Sequence, residues 1–467
     1  MNSTLPAGPK QSPVRQLIEM GTHPFALLDR CRRDYGDVFT LRMFGQGPFV
    51  LIGDSEAVRW IFSQPRSAFT HANDLVGIVI GDRSVLFMDG EEHRRERQLL
   101  MPVFHGERMR SYGVIMREAA ERELARWPRH DTVIVRPGMT RITLEVICRC
   151  LFGEADGAGS ERLRHQVERF LDAAQTPTLF MAGTLIPRTR IRVLLQRRTD
   201  ISLPVRVLSS VPRTLLWREV ADSREKICRA VDAEIAACRA GDPRYEGTIL
   251  GMLADTKDEA GVGLTDEEIN DEVLTLLMAG HETTATTLAW ALHHLAANPA
   301  AQQRLFEELS GSFPEGVVDP DRARKLPYLS AVVNETLRLT PIAVAVPRRL
   351  REAVTLAGHH LPAGTTVGAS IYVAHRSRAW ERPDEFEPER FLTGSPSPFI
   401  FFPFGGGTRR CVGAEFARYQ LAVVLGQLIL SREFNPEPSF TMRPYMRGAT
   451  VAPPPRMPLQ VRSRSAS

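Results

Sequence analysis

One helical register, running without interruption from Thr265 to Asn298, constrains this chain more than any other feature. Thr265 and Glu268 have the spacing of a capping box, and Asp266 and Glu267 place negative charge at the positive end of the helix. Asn298 and Pro299 stop the pattern about 33 residues later, which at about 1.5 Å per residue is a rod of roughly 50 Å. That is long for a globular helix, and any fold has to accommodate it.

The composition inside the rod is at odds with its length. Ile269, Val273 and Leu276 step along one face, but the stripe continues as Gly280, Thr283 and Thr287 before returning to Trp290. Gly280 costs about 1 kcal/mol against Ala in a helix, and Thr283, Thr284, Thr286 and Thr287 lose χ1 freedom. Helical propensity therefore did not select "LMAGHETTATTLAW", residues 277–290. Small residues allow another helix to approach, with each threonine hydroxyl bonded to a carbonyl one turn back. His281 and Glu282 open the HExxH pattern of zinc proteases, but Ala285 stands where the second imidazole is needed, which excludes it. The remaining reading is a wall packed flat against a ligand, with Gly280 as a notch and Glu282 and Thr283 as proton carriers. It requires a partner elsewhere in the chain.

Composition narrows that partner. Across 467 residues there is no low-complexity spacer and no internal repeat, so one large domain is expected. Lys and Arg number 59 against 55 Asp and Glu, a formal net charge of +4, which gives no general case for nucleic acid. Cys31, Cys148, Cys150, Cys228, Cys238 and Cys411 show neither CxxC pairs nor the spacing of a disulfide framework, in keeping with a reducing compartment. "MNSTLPAGPKQSPVRQ" has no apolar signal core, and no later apolar run reaches the ~18 residues of a membrane span. A cytoplasmic protein with no membrane span is expected.

Helical pattern dominates the chain. Residues 22–72 mix a helix with short strands at "DVFTLRM" and "PFVLIG", 90–310 is nearly all helix, and 340–375 returns to strand pattern with turns in "LAGHHLPAGTT". Asp384 to Phe402 reads as an irregular, proline-rich meander. The expected organisation is an N-terminal extension over 1–21, a main domain over 22–455 and a frayed tail over 456–467.

The sixth cysteine stands apart. In "FPFGGGTRRCVGAEFARYQLAVVLGQLIL", Cys411 closes a glycine-rich loop just before an apolar-periodic helix over about Ala414–Leu430, so its sulfur lies at a helix N-terminus beside Arg409 and Arg410. Both influences favour thiolate. Gly405, Gly406 and Gly407 let the backbone bend tightly and aim N–H groups at the sulfur, and Phe404 supplies an aromatic face. A lone cysteine is ordinarily a buried hydrophobe. A single soft thiolate ringed by N–H donors is instead what an axial haem ligand needs.

With this loop the chain resembles the cytochromes P450, the haem-thiolate monooxygenases. Phe404, Gly407, Arg409, Cys411 and Gly413 fill the pattern FxxGxRxCxG, and Ala279, Gly280, Glu282, Thr283 and Thr284 fill AGxETT. Glu335 and Arg338 fill ExxR, and "FEPERF" at Phe386–Phe391 matches the meander signature. The four motifs stand in the family's order, and the resemblance runs from about Thr22 to Pro455.

The resemblance implies a mainly α fold with small β-sheets, a single large domain of the cytochrome P450 type, and haem b as cofactor. Cys411 then ligates iron, His93, Arg97, Arg348 and Arg409 hold the haem propionates, and Gly280, Phe404 and Gly413 shape the haem site. Thr283 becomes the hydrogen-bond donor on the oxygen side, Glu282 a relay of solvent protons, and Gly280 the notch that admits dioxygen. Glu335 and Arg338, three apart on one helical face, become with Arg390 a buried brace for the ligand loop. Arg94 and Arg95, solvated charges when taken alone, join Arg410 and Arg418 in a basic patch for a redox partner.

No flavin or iron–sulfur motif is present, so the resemblance implies electrons from a separate ferredoxin and its NAD(P)H-dependent reductase. The apolar segments predict a substrate pocket walled by Val76, Ile78, Ile80, Phe87, Phe180, Ala279, Ala343, Val344 and Val346. Such walls suit a small apolar substrate oxidised with O2, a terpenoid or a fatty-acid-like lipid, with Arg188, Arg190 or Arg447 available to a fatty-acid carboxylate. A macrolide or other secondary-metabolite scaffold is the alternative substrate. A haem-thiolate isomerase, the alternative chemistry, would be expected to lack Glu282 and Thr283.

Overall fold

A computed structural model describes residues 5–464 except 73–79, 82, 105–107, 155–157, 175–200, 203–213 and 216. Its axis is the central helix, Asp266–Ala297, 32 residues long, opened by the reciprocal Thr265–Glu268 capping box and ending at Asn298. Both ends obey local chemistry, because a cap satisfies orphan N–H groups with side chains only three residues away.

Two helices flank this axis, Val135–Phe152 and Ala414–Ser431. In the second, every residue from Tyr419 to Leu430 is buried, as expected for a helix apolar around its whole circumference. Its polar Gln427 is satisfied inside the core, accepting from the Val318 N–H (3.0 Å) and donating to the Gly316 carbonyl (3.2 Å).

A five-stranded sheet forms a separate region. It runs in the order Val38–Leu41, Phe49–Ile52, Thr366–Ala369, Val346–Leu350, Phe69–Thr70. Only the pairing of Thr366–Ala369 with Phe49–Ile52 is parallel. With the helix Ser55–Ser63 it encloses its own apolar cluster, to which Val50, Val58, Ile61, Val367 and Phe402 belong. Phe402 thus ties the start of the cysteine loop to the sheet side of the molecule.

Two segments differ from expectation. Pro458–Ser463, in the stretch expected to fray, is the middle strand of a three-stranded sheet between Arg432–Pro436 and His130–Ile134. Its alternate residues Leu459 and Val461 are buried, a period-two pattern too short to stand out at a chain end. The N-terminal extension is docked rather than appended: the Thr40 N–H donates to the Ala7 carbonyl (3.0 Å), the Thr40 hydroxyl to that of Pro6 (2.7 Å), and Met20 lies in the core. Among the described residues, no helix is long and apolar enough to cross a membrane. All six cysteines are free.

Candidate active site

The cysteine loop is folded on itself by main-chain bonds. The Gly405 N–H donates to the Phe402 carbonyl and the Cys411 N–H to the Phe404 carbonyl, each at 2.9 Å. Gly405 and Gly407 have φ of +70° and +63°, the left-handed region that glycine enters freely. A Cβ on Gly406 would lie 2.3 Å from the Phe62 ring, and one on Gly407 2.5 Å from the Phe62 carbonyl. The glycines therefore let the loop lie flat on the helix Ser55–Ser63, and the N–H that reaches the sulfur belongs to Gly413.

Cys411 is accessible although protein surrounds it, so it faces an internal cleft. Burial pushes its thiol above the usual range, opposed by the Gly413 N–H and by Arg97 and Arg410. Arg409, expected beside the sulfur, turns away. It pairs with Asp89 at 2.5 Å and donates to the carbonyls of Val85, Leu86 and Met88. A bound cation such as haem iron deprotonates a coordinating thiol outright, so the raised intrinsic value does not disqualify Cys411 as a ligand.

Around Arg409 the chain gathers three further arginines and a neutral histidine. His93 is buried with Nδ1 unpartnered, and burial together with Arg409, Arg97 and Arg66 lowers it to about 3. Burial and Arg409 lower Arg348 to about 10, and burial lowers Arg97 as well. Arg66, which no sequence motif singled out, faces the same small cavity as His93, Arg348 and Arg409, and its Nε is buried without a partner. Like charges held this close out of water call for anions. The two carboxylates of haem b fit the nest and the soft thiol fits its iron, so this donor set suits the group.

On the central helix, every residue from Ile269 to Leu292 is buried except Met278, Ala279, Gly280 and Thr283. This one window opens in the middle of a helix that packs against the helix following Cys411. Thr283 stands in it, its hydroxyl donating to the Ala279 carbonyl one turn back (2.6 Å). Gly280, the expected notch, also serves packing. A Cβ there would point at Ile147, 3.3 Å from its Cδ1, so the glycine makes room for the helix Val135–Phe152.

Glu282 points away from the window. Its Oε1 accepts from Arg136 Nη2 at 2.8 Å, with Arg447 Nε at 3.6 Å, while Oε2 is buried without a partner. Arg447 also reaches the exposed Asp172 at 3.7 Å, which leaves it engaged rather than waiting for a substrate carboxylate.

Glu335 and Arg338 of the brace meet in full burial, with Arg390 at its partly exposed edge. Arg338 donates to both oxygens of Glu335 (2.6 and 2.8 Å), whose Oε1 also accepts from Arg390 Nε (3.1 Å) and the Glu387 N–H (2.8 Å). Arg338 further donates to the carbonyls of His375, Pro383 and Glu385. These bonds hold the meander rather than the cysteine loop itself.

Other expected positions sort differently. Ile80 and Phe87 are packed into the main core, Ala343 is exposed, and Val344 and Val346 are half-buried. Val76, Ile78, Phe180, Arg188 and Arg190 lie outside the described residues. Of the basic patch, Arg418 is not a surface cation: it bonds Asn334 and its guanidinium covers the Phe404 ring at 5.0 Å. Arg94 pairs with Glu91, Arg95 with Asp258, and the half-exposed Arg410 with Glu415.

Comparison with known proteins bears on the family and the fold. A sequence model of the cytochrome P450 family matches residues 6–461. The Mycobacterium tuberculosis protein described as cytochrome P450 135B1 is 34% identical over 452 residues, 96% of this chain and 89% of its own. Cytochrome P450 135A1 of the same species is 32% identical over 461 residues, 97% and 94% of the two chains. Among solved structures, retinoic acid-bound cyanobacterial CYP120A1 matches with a TM-score of 0.79 at 24% identity, over 99% of this chain and 100% of its own. The haem domain of cytochrome P450DA matches with a TM-score of 0.81 at 21% identity, over 99% and 98%.

Proposed function

This chain belongs to the cytochrome P450 family, and from that premise we propose that it hydroxylates a small apolar substrate, a terpenoid or fatty-acid-like lipid, with electrons from a ferredoxin and its NAD(P)H-dependent reductase. As a haem-thiolate monooxygenase it carries haem b, which supplies the activation of O2 and the oxidising power for an unactivated C–H bond. The observation that carries the reading is the accessible window in the otherwise buried stretch Ile269–Leu292 of the central helix, Met278–Gly280 with Thr283.

In this reading Cys411 holds the iron, and Arg66, His93, Arg97, Arg348 and Arg409 receive the propionates. Thr283 presents its hydroxyl to the oxygen side of the cleft, and Ala279 beside it offers a methyl wall to substrate. Glu282, reached by the half-buried Arg447 that also touches exposed Asp172, takes protons from the solvent side. The pairing of Arg447 with two carboxylates favours a neutral terpenoid over a free fatty acid. Arg410 is the cation next to Cys411 available to an acidic ferredoxin once Glu415 is displaced.

Titration of the holoenzyme with sesquiterpenes, steroids and a fatty-acid series, read by the low-spin to high-spin Soret shift, tests the substrate class. Tight shifts with neutral terpenoids are expected. Binding confined to small polar aromatics would refute the reading.

A further inference from the structure

We infer that His375 is a positioning residue that transmits the buried Glu335–Arg338 brace to the thiolate loop. His375 follows the short helix Ile371–Ala374 and is fully buried. Its carbonyl accepts from Arg338 Nη1 at 3.0 Å, and its ring Nδ1 lies 3.3 Å from the Arg338 carbonyl. On the other side, the Phe402 N–H donates to His375 Nε2 at 3.0 Å.

These partners fix the tautomer. A main-chain N–H can only donate, so Nε2 carries no proton, and Nδ1 must carry one to reach the Arg338 carbonyl. One neutral imidazole thereby joins two main-chain groups that would otherwise be buried and unpaired. Burial and the neighbouring Arg338 hold the ring neutral, its value lowered to about 3.

From Phe402 the restraint runs on through the loop. The Phe402 carbonyl takes the Gly405 N–H and the Phe404 carbonyl takes the Cys411 N–H, so two main-chain bonds separate the anchored residue from the ligand. The Phe402 ring is held edge-on by Phe62, 5.2 Å between centroids, and the His375 ring lies tilted against Phe401 at 5.1 Å. The brace side chains themselves bond to the meander and to His375, which makes the imidazole a hydrogen-bonded connection between brace and loop, beside the ring contact of Trp380 with Phe401.

The inference rests on Cys411 as the iron ligand, and the test separates the two. Holoenzyme variants His375→Phe, His375→Asn and His375→Gln are compared by hydrogen exchange of the peptide covering 402–405 and by the fraction of ferrous–carbonyl haem with the red-shifted, thiolate-ligated Soret band. Gln extends an acceptor to the Nε2 position, and Asn does not. The Phe and Asn variants are expected to exchange that peptide about tenfold faster and to lose much of the thiolate-ligated fraction, while Gln stays near the parent protein. If the Phe variant fails to fold, the Asn–Gln contrast decides. Equal behaviour of Asn and Gln, or parental exchange in Phe, overturns the inference. A parental spectrum in Cys411→Ser would overturn the ligand assignment instead.

Discussion

Arg136 donates to Glu282 across 2.8 Å, and the two side chains are only 4% and 5% exposed. They sit 146 positions apart in the chain, and the pair joins the central helix to the helix Val135–Phe152. Removing Arg136 leaves the buried Glu282 carboxylate with only Arg447, at 3.6 Å, to compensate it. Arg136→Met is therefore expected to cost about 3–5 kcal/mol in urea unfolding, and adding Glu282→Gln to restore a large part of it. Additive losses in the double variant would show that the two do not act as a pair.

Thr283 bonds its own helix in the resting arrangement, so removing the hydroxyl changes little that a resting measurement sees. Thr283→Ala should keep haem content and the substrate-induced spin shift, while product formed per NAD(P)H falls and peroxide rises. Unchanged coupling would assign the hydroxyl to helix geometry alone.

Gly280 contacts Ile147 through the direction its side chain would take. Gly280→Ala gains about 1 kcal/mol of helix propensity against mild crowding of a flexible Ile147 side chain, so stability should change by about 1 kcal/mol or less. Carbon monoxide binding to the reduced enzyme should stay within about twofold of the parent. A large loss of affinity would instead make Gly280 the notch for the iron-bound gas.

Glu96 is 1% exposed, its Oε1 has no partner, and burial, helped by Glu268 and opposed by Arg95, raises its carboxyl from 4.5 to about 7. The folded state then holds a proton that the unfolded chain releases. This contribution to stability is constant below about 4.5 and is lost as pH rises to about 7. Fully buried Glu272 is raised for the same reason and steepens the slope. Glu96→Gln should flatten the pH profile of the unfolding midpoint and stabilise the protein by about 2 kcal/mol near neutral pH and above. An unaltered slope would place the titration elsewhere.

Arg66 joins the cation nest from the sheet side, and its buried Nε lacks a partner. Arg66→Leu should release haem to apomyoglobin about tenfold faster, with the thiolate-ligated Soret position preserved, because a propionate contact is lost and the iron ligand is not. Parental haem retention would exclude Arg66 from the nest.

What could be read beforehand was whatever chemistry is local. The capping box at Thr265 and Glu268, the stop at Asn298, the helix after Cys411 and the i,i+3 pair Glu335–Arg338 all arise from groups a few residues apart. The tail strand escaped because Leu459 and Val461 give too short an alternation, and pairing to His130–Ile134 spans most of the chain. The glycine run was legible as a bend but not as a seat for Phe62, which lies about 345 residues earlier.

By itself, then, the sequence determined the long axis, the single distinctive cysteine and the class of chemistry that cysteine serves, since capping, periodicity and motif spacing are properties of contiguous residues. Only the tertiary structure decided which way each side chain turns: Arg409 to Asp89, Glu282 to Arg136, Gly280 to Ile147, and His375 between Arg338 and Phe402. Each of those choices satisfies a buried charge, a buried main-chain group or a close contact with a partner brought near by folding, and burial is what makes leaving it unsatisfied costly.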